Sequence, residues 1–172
     1  LKGVGFNEVL TISMVSKDKV NTKTAVKIDN PLGLDMEYLR THQEPILKES
    51  INSNKGNVDI FELSKVYSNK LNKEQLPTEY KKLALLCNAS NNPQRILSTV
   101  KNILRVLNIE NYYFKYNKNN IGLVINKKLS GKIFIRSEYT FAEILFKNLV
   151  KNYSSYPNIP EEYNTNVIIE DL

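Results

Sequence analysis

Histidine and cysteine each occur once in the 172 residues, as His42 and Cys87. A lone thiol forms no internal disulfide, and with one imidazole it builds neither a zinc cluster nor a multi-histidine metal site. A catalytic histidine dyad is excluded on the same grounds, so His42 is expected to cap or pair locally. Cys87 lies in the apolar run LALLCNA, where a small buried core residue is the expected role. Glycine is also sparse. Six glycines stand one at a time, so no GxxxxGK or GxGxxG frame cradles a phosphate and no GxSxG elbow presents a serine. No apolar stretch reaches the roughly 20 residues that span a bilayer, and no basic-then-apolar leader opens the chain. The expectation is a soluble, cytoplasmic protein.

The residues that are present describe an ordinary globular chain, 41% hydrophobic and 24% charged, of a length that suits one domain with its own core. A net charge of +6 permits attraction to an anionic partner such as RNA. The lysines, among them Lys65, Lys70, Lys81, Lys82, Lys101, Lys115, Lys127 and Lys128, are scattered instead of forming an arginine-rich stripe. A solvated lysine surface and a nucleic-acid face both stay open. The chain starts at Leu1 and stops just after the apolar Val167-Ile168-Ile169, so both ends are expected to be cuts through a longer polypeptide.

Hydrophobic periodicity assigns the elements. FNEVLTISM places Phe6, Leu10, Ile12 and Met14 on one side of a half-buried strand, and TAVKI, Thr24 to Ile28, is a second. After a turn at Asp29 to Gly33, Leu39, Ile46, Leu47 and Ile51 recur at roughly helical spacing, with the main helix starting near Pro45 and stopping at Asn54 to Asn57. VDIFELSKVY is a strong strand, followed by a polar connector from Ser68 to about Lys82. LALLCNA, apolar without alternation, predicts a central strand covered on both faces. Asn91-Asn92-Pro93 caps a helix whose stripe is Ile96, Val100, Ile103, Leu104 and Leu107. Four short strands follow, YYFKY, IGLVIN, GKIFIRS and TFAEILF, joined by turns tight enough to make them antiparallel. Lys147 to Val150 makes a brief helical turn at most, and an extended linker runs from Ser154. The fold class is α+β, an antiparallel sheet flanked by helices.

Chemistry rests on few groups. Glu62 and Glu143 sit mid-strand between apolar residues and either face solvent or are buried with a cationic partner; Glu161 and Glu162 lie near the tail. Arg40, ahead of the helix that leads into the Glu62 strand, is a candidate partner for Glu62. YYFKYNK interleaves aromatics with lysines, either to stack unpaired bases or to cover a sheet edge.

Four segments in order carry a family resemblance. GFNEVLTIS matches at Gly5, Phe6, Glu8, Val9, Thr11 and Ser13; NPL at Asn30, Pro31 and Leu32; the LRT segment at Leu39, Arg40, Thr41, Pro45, Leu47 and Asn54; FELSKV at Phe61, Glu62 and Val66. The order and spacing resemble the catalytic-like core of the beta subunit of bacterial-type phenylalanyl-tRNA synthetase, over essentially the full chain. His42, Gln43 and Glu44 replace small and leucine residues of the family pattern, Ile46 a glycine, and Gly33 a serine. The LRT segment is thereby more polar than the pattern, which puts the packing of its helix in question.

The resemblance implies a class II aminoacyl-tRNA synthetase-like fold without its own chemistry. It assigns residues 1–152 to the synthetase-like core and 153–172 to a linker and the start of an anticodon-binding domain. Catalytic class II domains carry an arginine after the strand corresponding to VDIFELSKVY; here Ser68, Asn69 and Lys70 stand there. By the same resemblance there is no catalytic residue, no metal ligand and no cofactor in this domain, ATP and magnesium being used elsewhere in the holoenzyme. Asn30, Pro31, Leu39, Arg40, Thr41, Pro45, Leu47, Asn54, Phe61 and Glu62 are implied to serve structure or the subunit interface. The implied partners are the alpha subunit, in a heterotetramer of two alpha and two beta chains, and tRNA(Phe) through the assembly. A freestanding RNA-binding module is the alternative.

Overall fold

The computed structural model describes residues 1–52, 58–88, 93–118 and 120–153. Among them a seven-stranded sheet is built from β1 (Asn7–Glu8), β4 (Asp59–Leu71), β5 (Pro77–Cys87), β9 (Thr140–Leu145), β8 (Lys128–Ile135), β7 (Asn120–Ile125) and β6 (Tyr112–Asn117), in that spatial order. Every neighbouring pair is antiparallel except β1 with β4. A second sheet of two strands joins β2 (Met14–Val15) to β3 (Tyr38–Leu39).

Among the described residues three α-helices accompany this sheet. On one face α2 (Pro93–Val106) lays Ile96, Leu97, Val100 and Leu104 against Leu83, Leu85, Cys87, Leu123, Ile133, Ala142 and Ile144. On the other, α1 (Glu44–Asn52) sets Leu47 and Ile51 on Ile60, Ala84, Leu86 and Phe141. The two sets of β5 residues alternate along one strand, and for that reason LALLC contains no polar residue. Full burial of a side chain such as Leu47 contributes about 1.5–3 kcal/mol. The chain ends its described part in α3 (Phe146–Asn152), a seven-residue helix where a brief turn was expected.

Several expectations are corrected. FNEVLTISM is no continuous strand: after β1 the chain leaves the sheet, and Leu10 and Ile12 are 91% and 56% exposed. Partners outside the sheet ladder hold the backbone there, since the Thr11 amide donates to the Glu62 carboxylate and the Ser13 carbonyl accepts from the Arg40 amide. TAVKI forms a turn and a single bridge, Lys27 to Tyr38. Leu39 lies in β3, outside the helix, after a 3-10 turn at Leu34–Met36.

The polar connector is mostly strand. β4 runs on to Leu71 and β5 starts at Pro77, where the missing donor is tolerated at a strand's first residue. Asn72 closes the turn, its Oδ1 accepting from the amides of Glu74 and Leu76. The helix stop at Asn54 to Asn57, the cap residues Asn91 and Asn92, and everything from Ser154 on, Glu161 and Glu162 included, lie outside the described residues.

Candidate functional site

Arg40 follows β3 directly, and its own backbone stitches two segments together. Its amide donates to Ser13 and its carbonyl accepts from Tyr67 of β4. That anchorage carries the side chain beneath α1 onto β4, where it is 1% exposed. Nη1 stands 3.2 Å from Glu62 Oε2, Nε donates to the Lys65 carbonyl at 2.9 Å, and Nη1 also donates to Thr11 Oγ1 at 2.7 Å. Glu62 is fully buried. Its Oε1 accepts from the Thr11 amide and hydroxyl, both at 2.9 Å, and its Oε2 from Gln43 Nε2 at 3.1 Å.

The pair is therefore saturated by protein groups. Thr11 bridges it, accepting from Arg40 and donating to Glu62. Gln43 closes the other side, donating also to Ser64 Oγ at 2.7 Å; its own Oε1 has no partner among the described residues. Removing either charge would leave the other buried and uncompensated, which costs about 3–5 kcal/mol. A guanidinium so committed, with its side chain 2% exposed, is closed to a phosphate from solvent.

Beside the network, the α1 face of the sheet opens into a cleft of about 530 Å³. Val66, Tyr80, Leu129, Phe134 and Leu145 give it apolar walls, and Lys82, Lys132 and Glu143 are its charged residues. Lys82 on β5 meets Glu143 on β9 at 2.5 Å, and Glu143 Oε1 accepts from the Gln43 amide at 3.0 Å. Strand alternation puts Glu143 and Lys132 directly opposite each other across β8 and β9. Gly131 permits that close pairing: a Cβ there would lie 2.9 Å from the Glu143 carbonyl oxygen. Among the described residues no arginine lines the cleft.

The start of α1 is latched to the β8–β9 turn. Glu44 accepts from Arg136 through two nitrogens, at 2.8 and 3.2 Å, and from the Tyr139 hydroxyl at 3.0 Å. Hydrogen bonding to Glu44 holds the Arg136 guanidinium above its usual range, while burial and then the Glu44 charge push the Tyr139 phenol up to about 12. Cys87 is buried and its thiol is pushed far up, first by burial and then by the nearby Asp59 charge.

Of the residues singled out from sequence, the fold brings Arg40 and Glu62 together, with Leu47 packed nearby on Ile60, Ala84 and Leu86. Thr41 is half-buried on the cleft wall and its hydroxyl meets His42 Nδ1 at 2.9 Å, the local pairing expected of that histidine. Pro45 is the second residue of α1, Leu39 is half-buried in β3, and Phe61 faces the α2 side. Asn30 and Pro31 sit on an exposed loop, and Asn54 falls outside the described residues. Gln43 reverses an expectation: the polar substitution supplies a member of the buried network, so the α1 packing survives it. Thr11, Ser64 and Lys82 complete the site with no role there legible from sequence, while Glu143 takes the second of its two expected settings, mostly buried and paired with the Lys82 cation.

The architecture defines a class II synthetase-like core. It is similar to pyrrolysyl-tRNA synthetase from Desulfitobacterium hafniense with a TM-score of 0.68 at 15% identity, covering 87% of this chain and 61% of that one. The family model of the phenylalanyl-tRNA synthetase beta chain CLM domain matches residues 1–125, and the chain belongs to that family. The phenylalanine–tRNA ligase beta subunit of Clostridium tetani is 25% identical over 198 aligned positions, covering 93% of this chain and 25% of the relative. That of Thermotoga maritima is 32% identical over 76 residues, covering 39% of this chain and 10% of the relative. The chain thus spans a quarter or less of these relatives' length.

Proposed function

We propose that this chain is a non-catalytic, class II-like scaffold within a phenylalanyl-tRNA synthetase beta subunit, supporting ATP-dependent charging of tRNA(Phe) with phenylalanine by a cytoplasmic alpha subunit. Its partners are then the alpha chain, two of each in a heterotetramer, and tRNA(Phe) held by the whole assembly. The observation that carries the reading is the committed Arg40. Adenylyl transfer needs cations aimed at developing phosphate charge, and here Arg40 is neutralised by Glu62 while Lys82 is tied to Glu143. Positions 68–70 support it as well: they lie within β4 and hold no arginine. ATP and magnesium act elsewhere in the assembly on this reading.

The RNA-module alternative is weakened by β6. Tyr113 and Tyr116 are exposed, yet their odd and even positions place them on opposite faces of the strand, so they offer no continuous stacking platform. Phenylalanine-dependent ATP–pyrophosphate exchange separates the readings. The chain without alpha is expected to show none and to co-purify with alpha when the two are expressed together. Phenylalanyl adenylate made by the chain unaided overturns the proposal. So does tight tRNA binding in the absence of alpha with a steep salt slope, the mark of phosphate contacts.

A further inference from the structure

The cleft on the α1 face has the dimensions of a ligand site, and its charges do not cancel. Cavities of about 300–1,000 Å³ with apolar walls and a few convergent polar groups are the usual small-molecule sites, and this one measures about 530 Å³. Glu143 is occupied on both oxygens, by the Gln43 amide and by Lys82. It has little to offer an incoming ammonium. Lys82 spends one of three ammonium donors on it, and Lys132 is paired with no carboxylate among the described residues. Lys82, Lys132 and Glu143 sum to +1 at the cleft wall, and Lys147 adds positive potential at its rim, 5.9 Å from the Tyr80 ring centroid. The adjacent Arg40–Glu62 pair is neutral and contributes no compensating field.

We propose that this cleft binds a small organic carboxylate, its anionic end between Lys82 and Lys132 and its apolar body against Val66, Tyr80, Leu129 and Leu145. The Lys82 ammonium, 19% exposed in its side chain, gives the carboxylate a partly desolvated partner. Lys132 supplies the uncompensated charge, and the apolar walls admit one ring or a short aliphatic chain. The site goes beyond the scaffold role, since a scaffold can hold this cleft with or without an occupant.

Three benzene-ring probes of similar size and different charge test it in the assembled protein: benzoate, benzamide and benzylamine. The readout is methyl shifts of Val66, Leu129 and Leu145 by NMR, with dissociation constants from the titrations. Benzoate is expected to saturate with a constant on the order of millimolar, as suits a fragment of that size. Benzamide is expected to bind about tenfold more weakly, the loss of a charge-assisted contact. Lys82→Met strands Glu143 and risks the fold, so the exposed Lys132 carries the mutational arm. Lys132→Glu sets a second carboxylate opposite Glu143 and lowers the thermal midpoint, and it is expected to abolish benzoate binding while the methyl spectrum of the folded protein is retained. Equal affinity for benzoate and benzamide, a preference for benzylamine, or an unchanged benzoate constant in Lys132→Glu each overturns the proposal.

Discussion

The two faces of the sheet are made by the same strands and are built on opposite principles. Toward α2, β5 presents Leu83, Leu85 and Cys87 to a continuous apolar cluster. Toward α1, the same strand presents Tyr80, Lys82, Ala84 and Leu86, and β4 presents Glu62 and Val66. The first face is held by area removed from water, which is tolerant of sequence and adds stability in proportion to what it buries. The second relies on a buried charge pair, which adds little net energy and is held by directional hydrogen bonds among Thr11, Arg40, Gln43 and Glu62. Specific geometry and an open cleft therefore occur on the same side.

The sharpest way to break the contrast is Glu62→Gln. It leaves the Arg40 guanidinium buried without its counter-charge and is expected to lower unfolding free energy by about 4 kcal/mol, read from urea denaturation. Arg40→Met with Glu62→Leu together should recover part of that loss, because no uncompensated charge stays buried, while the Thr11 amide and the Lys65 carbonyl still lose their partners. On the apolar face, Leu104→Ala is expected to cost about 3 kcal/mol through lost burial and a cavity under α2, with no effect on the cleft.

The latch between the faces' edges comes next in size. Glu44→Gln should cost about 1 kcal/mol, since Arg136 is partly exposed and screened by solvent. Tyr139 gives the latch a pH signature. Its folded-state pKa is raised from 10.0 to about 12, so the unfolded chain loses this proton first. The stability it contributes is complete below pH 10 and declines as pH rises toward 12. Tyr139→Phe should remove that component from the alkaline stability profile while leaving the profile below pH 9 flat relative to the parent. Smallest of all, Lys65→Met deletes the exposed pair with Glu79 and should leave the denaturation midpoint unmoved.

How far these features could be read in advance differs by face as well. LALLCNA and the PQRILSTVKNILRVLN stripe announced the α2 face because burial on that side is periodic and apolar. The β6–β9 strands were equally legible. The β4–β5 hairpin beyond Ser68 was not, because both of its faces leave the core and polar residues carry no alternation there. FNEVLTISM misled in the converse way. Its period of two is real, but Leu10 and Ile12 point to solvent, the backbone being held by Glu62 and Arg40 at a sequence distance that periodicity cannot see. The Arg40–Glu62 pair itself was suggested by placement along the chain. Its saturation by Thr11 and Gln43 required the fold.

The central claim is that Arg40 holds the domain's shape and never meets a phosphate. Replacing the pair together, Arg40→Met with Glu62→Leu, in the reconstituted alpha–beta assembly and measuring kcat and KM for ATP in aminoacylation addresses it directly. Values within about twofold of the parent, per assembled complex, are expected of an interaction that is only structural. A loss on the order of a hundredfold in kcat with assembly intact, the scale seen when a charge-stabilising donor is removed from a transition state, would contradict it.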